Sequence, residues 1–198
     1  IEADVHDPKV LESHFTGCDA VINLAGILNE RRRGGFDQVH ATLPERIVAA
    51  AANSGVRRLL HVSALGAAED APSRYLRSKA AGEAVIAASG DKGMAATWFR
   101  PSVVFGQGDS FVTRFAQLLS ITPAVLPLAC ADARITPVYV EDVARAMANA
   151  LENKGTVGAC YELCGPSQYT LSALVRYVGT VTGNERSILE LGRVLSRL

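Results

Sequence analysis

The chain has 198 residues, 48% of them hydrophobic, with 20 basic and 20 acidic side chains and a formal net charge of zero. That length and apolar share suit one globular domain, and the balanced charge excludes the basic surplus by which nucleic-acid binders hold phosphate. Cys18, Cys130, Cys160 and Cys164 form no CxxC pair, and His6, His14, His40 and His61 lack metal-ligand spacing, so buried free thiols in a reducing, cytoplasmic setting and no metal site are expected.

In chain order, Ile1–Val5 reads as the end of a strand and Pro8 to Phe15 as a short helix; Ile1 opens directly into acidic sequence, with no secretory leader pattern. Asp19 to Gly26 is a short apolar run closed by glycine, which suits a buried parallel strand and a tight turn. Phe36 to Ser54 has helical spacing, with Val39, Leu43, Ile47, Val48 and Ala51 on one face and Gly55 as the stop. Arg58 to Ser63 reads as a strand, Pro72 to Ala88 as a helix, and Ala96 to Arg100 as a strand ended by Pro101. Asp109 and Ser110 cap a helix running to about Leu119. The most apolar stretch, Phe115 to Ala131, is interrupted by Pro123 and Pro127 and is too short for a comfortable membrane span. It reads as helix end, turn and buried strand, with a hydrophobic hairpin meeting a membrane or lipid-soluble substrate as the alternative. Strand Ile135–Val140, helix Glu141–Glu152, strand Cys160–Leu163, helix Leu171–Val181 and strand Ser187–Leu191 follow, and Gly192 to Leu198 opens a further helix.

Strand–helix alternation of this kind predicts an α/β fold, a Rossmann-type doubly wound parallel sheet with helices on both faces. Residues 1–108 are expected to form a partial dinucleotide-binding domain, and residues 109–198 the remaining strands and helices with a small C-terminal α/β region on the substrate side. Ligands in such sheets bind at the carboxyl ends of strands, which singles out Leu24-Ala25-Gly26, Ser63-Ala64 and Arg100-Pro101-Ser102. A glycine-rich turn that would cradle a pyrophosphate is missing before Asp19. The first βαβα unit, roughly 50–60 residues, is therefore expected to be absent, with the sheet truncated at its N-terminal side. The strand ending at Leu24 should then be a sheet edge, and the chain alone should bind dinucleotide weakly.

Tyr75 and Lys79 stand four apart on a predicted helix and share a face. A nearby ammonium favours phenolate, so the Tyr75 pKa is expected to fall from about 10 toward neutrality. Such a tyrosine can exchange a proton with a carbonyl or hydroxyl while hydride moves at a nicotinamide, and the lysine can hold ribose hydroxyls.

With these residues in view, the chain resembles the short-chain dehydrogenase/reductase superfamily. More narrowly, it resembles the atypical, NAD-dependent epimerase/dehydratase-like branch that includes the NAD(P)H-binding accessory subunit of respiratory complex I and its bacterial relatives. The resemblance rests on Val21–Glu30 (VINLAGILNE), His61–Ala67 (HVSALGA), Tyr75–Glu83 (YLRSKAAGE), Arg100–Gly106 (RPSVVFG), Pro137–Ala144 (PVYVEDVA) and Tyr161–Pro166 (YELCGP), in family order. It implies that Asp4 and Val5 lie near the adenine, that Leu24, Ala25 and Gly26 line the adenosine and ribose, and that Ser63 lies beside the nicotinamide half. Tyr75 and Lys79 become the cofactor-contacting dyad, and Arg100, Pro101 and Val103 the loop packing near the nicotinamide. Asp4 read alone is a helix-start carboxylate, and Arg100 a structural salt-bridge partner. Family enzymes carry a catalytic Ser or Thr where this chain has Ala64, and alanine cannot hydrogen-bond a substrate. Ser63 is the substitute candidate beside Tyr75 and Lys79, one position early and so turned to the other strand face. Arg31-Arg32-Arg33 reads either as an anion or lipid-headgroup contact or as a solvated loop flanked by Gly34-Gly35.

Three functions follow: an accessory or assembly protein of complex I, peripheral to the inner membrane, that holds NAD or NADP; a working oxidoreductase, epimerase or dehydratase on a carbonyl or sugar-nucleotide substrate; and a nucleotide-sensing regulator, against which the intact dyad counts. Fold alone does not choose among them.

Overall fold

The computed structural model describes residues 4–30 and 32–191. The expected strand at Ile1–Val5 in its first three residues, Arg31 of the arginine run and the helix expected from Gly192 lie outside the described residues.

In chain order the elements are α1 (Pro8–Phe15), β1 (Ala20–Asn23), α2 (Gly35–Asp37), a π-helical turn (Gln38–Thr42), α3 (Leu43–Asn53), β2 (Arg58–Val62), α4 (Arg74–Ala88), β3 (Ala95–Pro101), β4 (Val104–Phe105), α5 (Phe111–Ile121), β5 (Val125–Ala129), β6 (Arg134–Ile135), β7 (Val138–Tyr139), α6 (Val140–Glu152), β8 (Cys160–Leu163), β9 (Tyr169–Thr170), α7 (Leu171–Thr182) and β10 (Ser187–Leu191). They form two compact units, the first of Ile1–Pro101 and Ala144–Leu163, the second of Ser102–Val143 and Cys164–Leu198.

The first unit holds a parallel sheet in the order β1-β2-β3-β8, flanked by helices, which is the Rossmann-type arrangement expected. Leu59 of β2 is fully buried in a cluster with Leu11 of α1, Ile47 of α3 and Ile86 of α4. Leu60, which alternation turns to the opposite face, is equally buried. On β2, Arg58 ties the sheet to α6, donating to the Ala150 carbonyl at 2.5 Å. Local chemistry sets the helix ends. The Asp7 side chain accepts from Lys9 N–H ahead of Pro8, the Ser73 hydroxyl accepts from Leu76 N–H, and Gly55 takes a positive φ of 80° after α3. Among the described residues β1 is a sheet edge, as expected, with Ile22 44% and Leu24 67% exposed.

The helix expected at Phe36–Ser54 instead passes through a π turn at Gln38–Thr42. Pro44 explains the break: it has no N–H, so the His40 carbonyl four residues earlier cannot accept an α-helical bond. That carbonyl is covered by α4 at Gly82, where an added Cβ would lie 2.0 Å from His40 O.

In the second unit, β5 and β10 pair in parallel, and Leu126, Leu128, Val175, Val178 and Leu119 form its core. Strand β5 alternates exposed and buried residues rather than being buried throughout: Leu126 and Leu128 face the cluster with Leu119, Val175 and Val178, and the residues alternating with them face solvent. Asp109, rather than Ser110, caps α5, accepting from Val112 N–H at 2.7 Å and Thr113 N–H at 3.2 Å. The strand expected at Ile135–Val140 is split: β6 pairs antiparallel with β9, and β7 pairs in parallel with β4. Pro137 between them has no N–H to continue a ladder. All four cysteines are free but exposed, against the expectation of burial. Their strand-like neighbourhoods lie at sheet margins or in turns, where the side chains meet solvent.

Candidate functional site

Several of the candidate residues of the first unit, Gly26, Ser63 and Lys79 among them, gather at the carboxyl ends of β1 and β2. Helix α4 places Tyr75 and Lys79 one turn apart. Lys79 is 5% exposed, and its ammonium donates to the Val62 carbonyl at 3.0 Å, at the end of β2. Its Nζ also lies beside Gly26: a Cβ there would sit 3.3 Å from Lys79 Nζ and 3.7 Å from His40 Nε2. Burial pulls the Lys79 pKa down to about 8, against the opposing pull of the Glu83 carboxylate. The lysine therefore stays mostly charged at neutral pH despite its desolvation.

Tyr75 behaves otherwise than expected. Burial raises its pKa, and no lowering by the ammonium accompanies this. The Lys79 charge is directed at the Val62 carbonyl, so the phenol keeps its proton in this state. Its ring packs edge-on against His40, with centroids 5.5 Å apart, and against Phe36 at 5.9 Å.

Two buried histidines lie against this dyad, and sequence reasoning missed both as site residues. The Ile27 N–H donates to His40 Nε2 at 3.1 Å, so the imidazole proton is on Nδ1. Nδ1–H then donates to Ser78 Oγ at 2.8 Å, and Ser78 Oγ donates to the Tyr75 carbonyl at 2.7 Å. His61 sits in the middle of the sheet beside Asn23, its register partner on β1. The Asn23 amide accepts from Ala25 N–H at 3.0 Å, which aims its NH2 group at His61 Nδ1, also 3.0 Å away. His61 therefore carries its proton on Nε2, which is buried without a hydrogen-bond partner.

Burial, reinforced by the Lys79 charge, lowers the pKa of His40 to about 4 and of His61 to about 3. The unfolded chain binds these protons near pH 6.5, so the stability they carry is full above that pH and is lost as pH falls toward the folded values. Over that window each histidine removes up to roughly 1.4 kcal/mol per pH unit. Urea denaturation should show a fall on the order of 3 kcal/mol between pH 6.5 and 5. A flat profile over that range would show that these imidazoles are charged in the folded state.

The other expected site residues are distributed as follows. Asp4 and Val5 lie in the turn before α1; Asp4 accepts from His6 N–H at 2.8 Å, and Val5 is 40% exposed. Leu24 is largely exposed, Ala25 packs against the hydrophobic cluster of the first unit, and Gly26 lies beside Lys79 and His40. Ser63 directly follows β2; it is 3% exposed and its hydroxyl is buried without a partner, while Ala64 is also buried. Arg100 is bound by Glu83 through two bonds, at 2.8 and 2.6 Å, with Glu162 3.7 Å away. These carboxylates, the Glu83 bonds foremost, hold its pKa above the ordinary guanidinium value. Pro101 ends β3, and its carbonyl accepts from Leu65 N–H at 2.9 Å. Val103 belongs to the second unit, where its carbonyl accepts from Val138 N–H.

Next to Ile27 opens a cleft of about 870 Å³. Ile27, Leu28 and Val39 supply its apolar walls, and His6, Arg32 and Arg33 its basic ones. Neither Tyr75 nor Lys79 lines it. Among the described residues no group of His, Cys, Asp and Glu is arranged to hold a metal, and no helix is long and apolar enough to cross a membrane.

Comparison with known proteins matches residues 1–164 to the NAD dependent epimerase/dehydratase family. The mitochondrial NADH dehydrogenase (ubiquinone) 1 alpha subcomplex subunit 9 of Rattus norvegicus is 33% identical over 182 residues, which is 92% of this chain and 48% of that protein. The ceramide reductase of Caulobacter vibrioides is 31% identical over 144 residues, 73% of this chain and 44% of that protein. The chain thus spans about half the length of the curated relatives it matches. Among solved structures, UDP-glucuronic acid 4-epimerase from Bacillus cereus, in complex with UDP-glucuronic acid and NAD, superposes with a TM-score of 0.82 at 18% identity, over 98% of this chain and 68% of that one. The dTDP-glucose 4,6-dehydratase double mutant from Streptomyces venezuelae, with NAD bound, gives 0.81 at 22% identity, over 96% of this chain and 66% of that one. With the parallel sheet, the Tyr75–Lys79 helix and the family match over most of its length, the chain belongs to the NAD dependent epimerase/dehydratase family.

Proposed function

We propose that this chain supplies the nicotinamide-side half of a site that holds NAD or NADP, in an accessory or assembly protein of a complex I-type respiratory enzyme at the membrane periphery. The observation that carries the reading is the convergence of Lys79 Nζ and His40 Nε2 on the open side of Gly26, one turn from the Tyr75 phenol. The fit is chemical. Lys79 donates one proton to the Val62 carbonyl, and its others suit ribose hydroxyls. Gly26 lacks the Cβ that would fill the approach. When bound, the cofactor supplies hydride chemistry; the residues of this chain bind and orient it, with Tyr75 as the proton-bearing group. Similarity to the complex I subunit over 92% of the chain supports the accessory role, and Ala64 in place of a hydroxyl residue supports holding without turnover.

The second reading, a working oxidoreductase, epimerase or dehydratase, is favoured by the intact dyad, by the buried Ser63 hydroxyl and by the similarity to a ceramide reductase. Titration of NADH and NADPH into the natural protein that carries these residues separates the two. Lys79→Met should weaken binding at least tenfold, the size of one lost charge-assisted hydrogen bond. Tyr75→Phe should leave affinity within about threefold. Unchanged binding in Lys79→Met would remove the dyad from the cofactor site. Tyr75-dependent turnover of a carbonyl or sugar-nucleotide substrate would establish the catalytic reading instead.

A further inference from the structure

The bonds to His40 connect two stretches of backbone that lie far apart in the chain. One is the turn after β1, where Ile27 N–H meets His40 Nε2. The other is the first turn of α4, where Ser78 relays from His40 Nδ1 to the Tyr75 carbonyl. The imidazole itself is 1% exposed and packs in a cluster of three rings with Phe36 and Tyr75, which also touch each other. Phe36 stacks on it at 5.5 Å with an 18° interplanar angle, and Tyr75 meets it edge-on. Its backbone lies on the π turn ahead of Pro44, pressed against Gly82. Its two ring nitrogens are thus bonded to two different elements, the turn after β1 and α4.

We propose that His40 is a positioning residue that clamps the Gly26–Ile27 turn to the Tyr75–Lys79 helix, so that turn and dyad present themselves to the cofactor as one rigid surface. This rests on the reading that the dyad holds NAD or NADP. His40 acts through Ile27 and Ser78. The two ring nitrogens act separately, since Nε2 holds the turn and Nδ1 holds the helix through Ser78. Loss of the first frees Ile27 and the backbone beside Lys79 Nζ. Loss of the second frees the hydroxyl that braces the Tyr75 carbonyl.

Two substitutions separate these roles. In His40→Gln the side-chain oxygen reaches the place of Nε2 and can still accept from Ile27 N–H. In His40→Asn the shorter amide reaches only the place of Nδ1 and can still bond Ser78. Amide hydrogen exchange at Ile27, read by NMR, and titration with NADH and NADPH should be measured on both variants and on the unaltered protein. The expected result is Ile27 exchange about tenfold or more faster in His40→Asn and near the unaltered rate in His40→Gln. Cofactor affinity should fall about tenfold in His40→Asn and recover at least partly in His40→Gln. Equal Ile27 exchange in all three proteins overturns the clamp, as does equal cofactor affinity where the unaltered protein binds. If the natural protein that carries these residues binds neither dinucleotide, the cofactor reading fails and with it the purpose assigned to the clamp, whereas the exchange rates still establish or refute the clamp itself. Should His40→Asn fail to fold, Ser78→Ala tests the helix half: it should leave Ile27 exchange near normal and weaken cofactor binding, and unchanged binding in it overturns the proposal.

Discussion

Gly82→Ala should destabilise the protein by roughly 3 kcal/mol or more, although helix propensity alone would make it stabilising by about 1 kcal/mol. Gly82 lies within α4, a helix otherwise rich in alanine, and nothing local asks for glycine there. The reason is across the interface. A Cβ on Gly82 would stand 2.0 Å from the His40 carbonyl oxygen and 3.2 Å from its carbon, both backbone atoms that no rotamer change can move away. The carbonyl is held there because Pro44 denies it an α-helical donor and the chain passes through a π turn. Equilibrium denaturation of Gly82→Ala checks this, with Gly90→Ala as the control. Gly90 has open space around it, and its change should stay within about 0.5 kcal/mol. A Gly82→Ala protein as stable as the parent would mean that α4 and the π turn do not meet as described.

Arg100→Met should cost on the order of 3 kcal/mol or more, because it leaves the Glu83 carboxylate buried without its cation. Glu83 is 7% exposed and takes both of its close bonds, 2.8 and 2.6 Å, from the one guanidinium. The double change Arg100→Met with Glu83→Gln should recover most of that loss, since a neutral amide is far easier to bury than an orphaned charge. Thermal or chemical denaturation of the two single variants and the double variant gives the cycle. Dinucleotide titration of the double variant then asks whether Arg100 serves the cofactor at all. If the ion pair is its whole purpose, affinity should stay within about threefold of the parent. A double variant that folds stably but loses binding would return Arg100 to the cofactor loop.

Much of this architecture is legible along the chain, and the reason is locality. The strand at Arg58–Val62, the helix at Pro8–Phe15 and the strand at Cys160–Leu163 follow from periodicity and from caps that act within a few residues. Where a proline interrupts a pattern, periodicity says less. Pro44 turns part of one helix into a π turn, and Pro137 separates β6 from β7. Both effects follow from a missing N–H at a residue visible in the sequence. Their outcome depends on which neighbours the backbone finds afterwards.

The site divides in the same way. Tyr75 and Lys79 can be placed on one helical face because four residues make about one turn. The direction of the Lys79 ammonium cannot, nor can the burial that raises the Tyr75 pKa against the expected fall. His40 carries a signal in the sequence, four positions after Phe36 on an otherwise apolar face. His61 opens the HVSALGA stretch, within the strand read at Arg58 to Ser63. What brings them beside the dyad are bonds between positions 38 apart in the chain, His40 with Ser78 and Asn23 with His61. Order along the chain sets the elements and the dyad's spacing, since those depend on short-range backbone geometry. Parallel strands joined by crossover helices then bring distant residues to the same strand ends, and burial there assigns each its proton. The roles of His40, His61, Gly82 and Arg100 exist only in that packing.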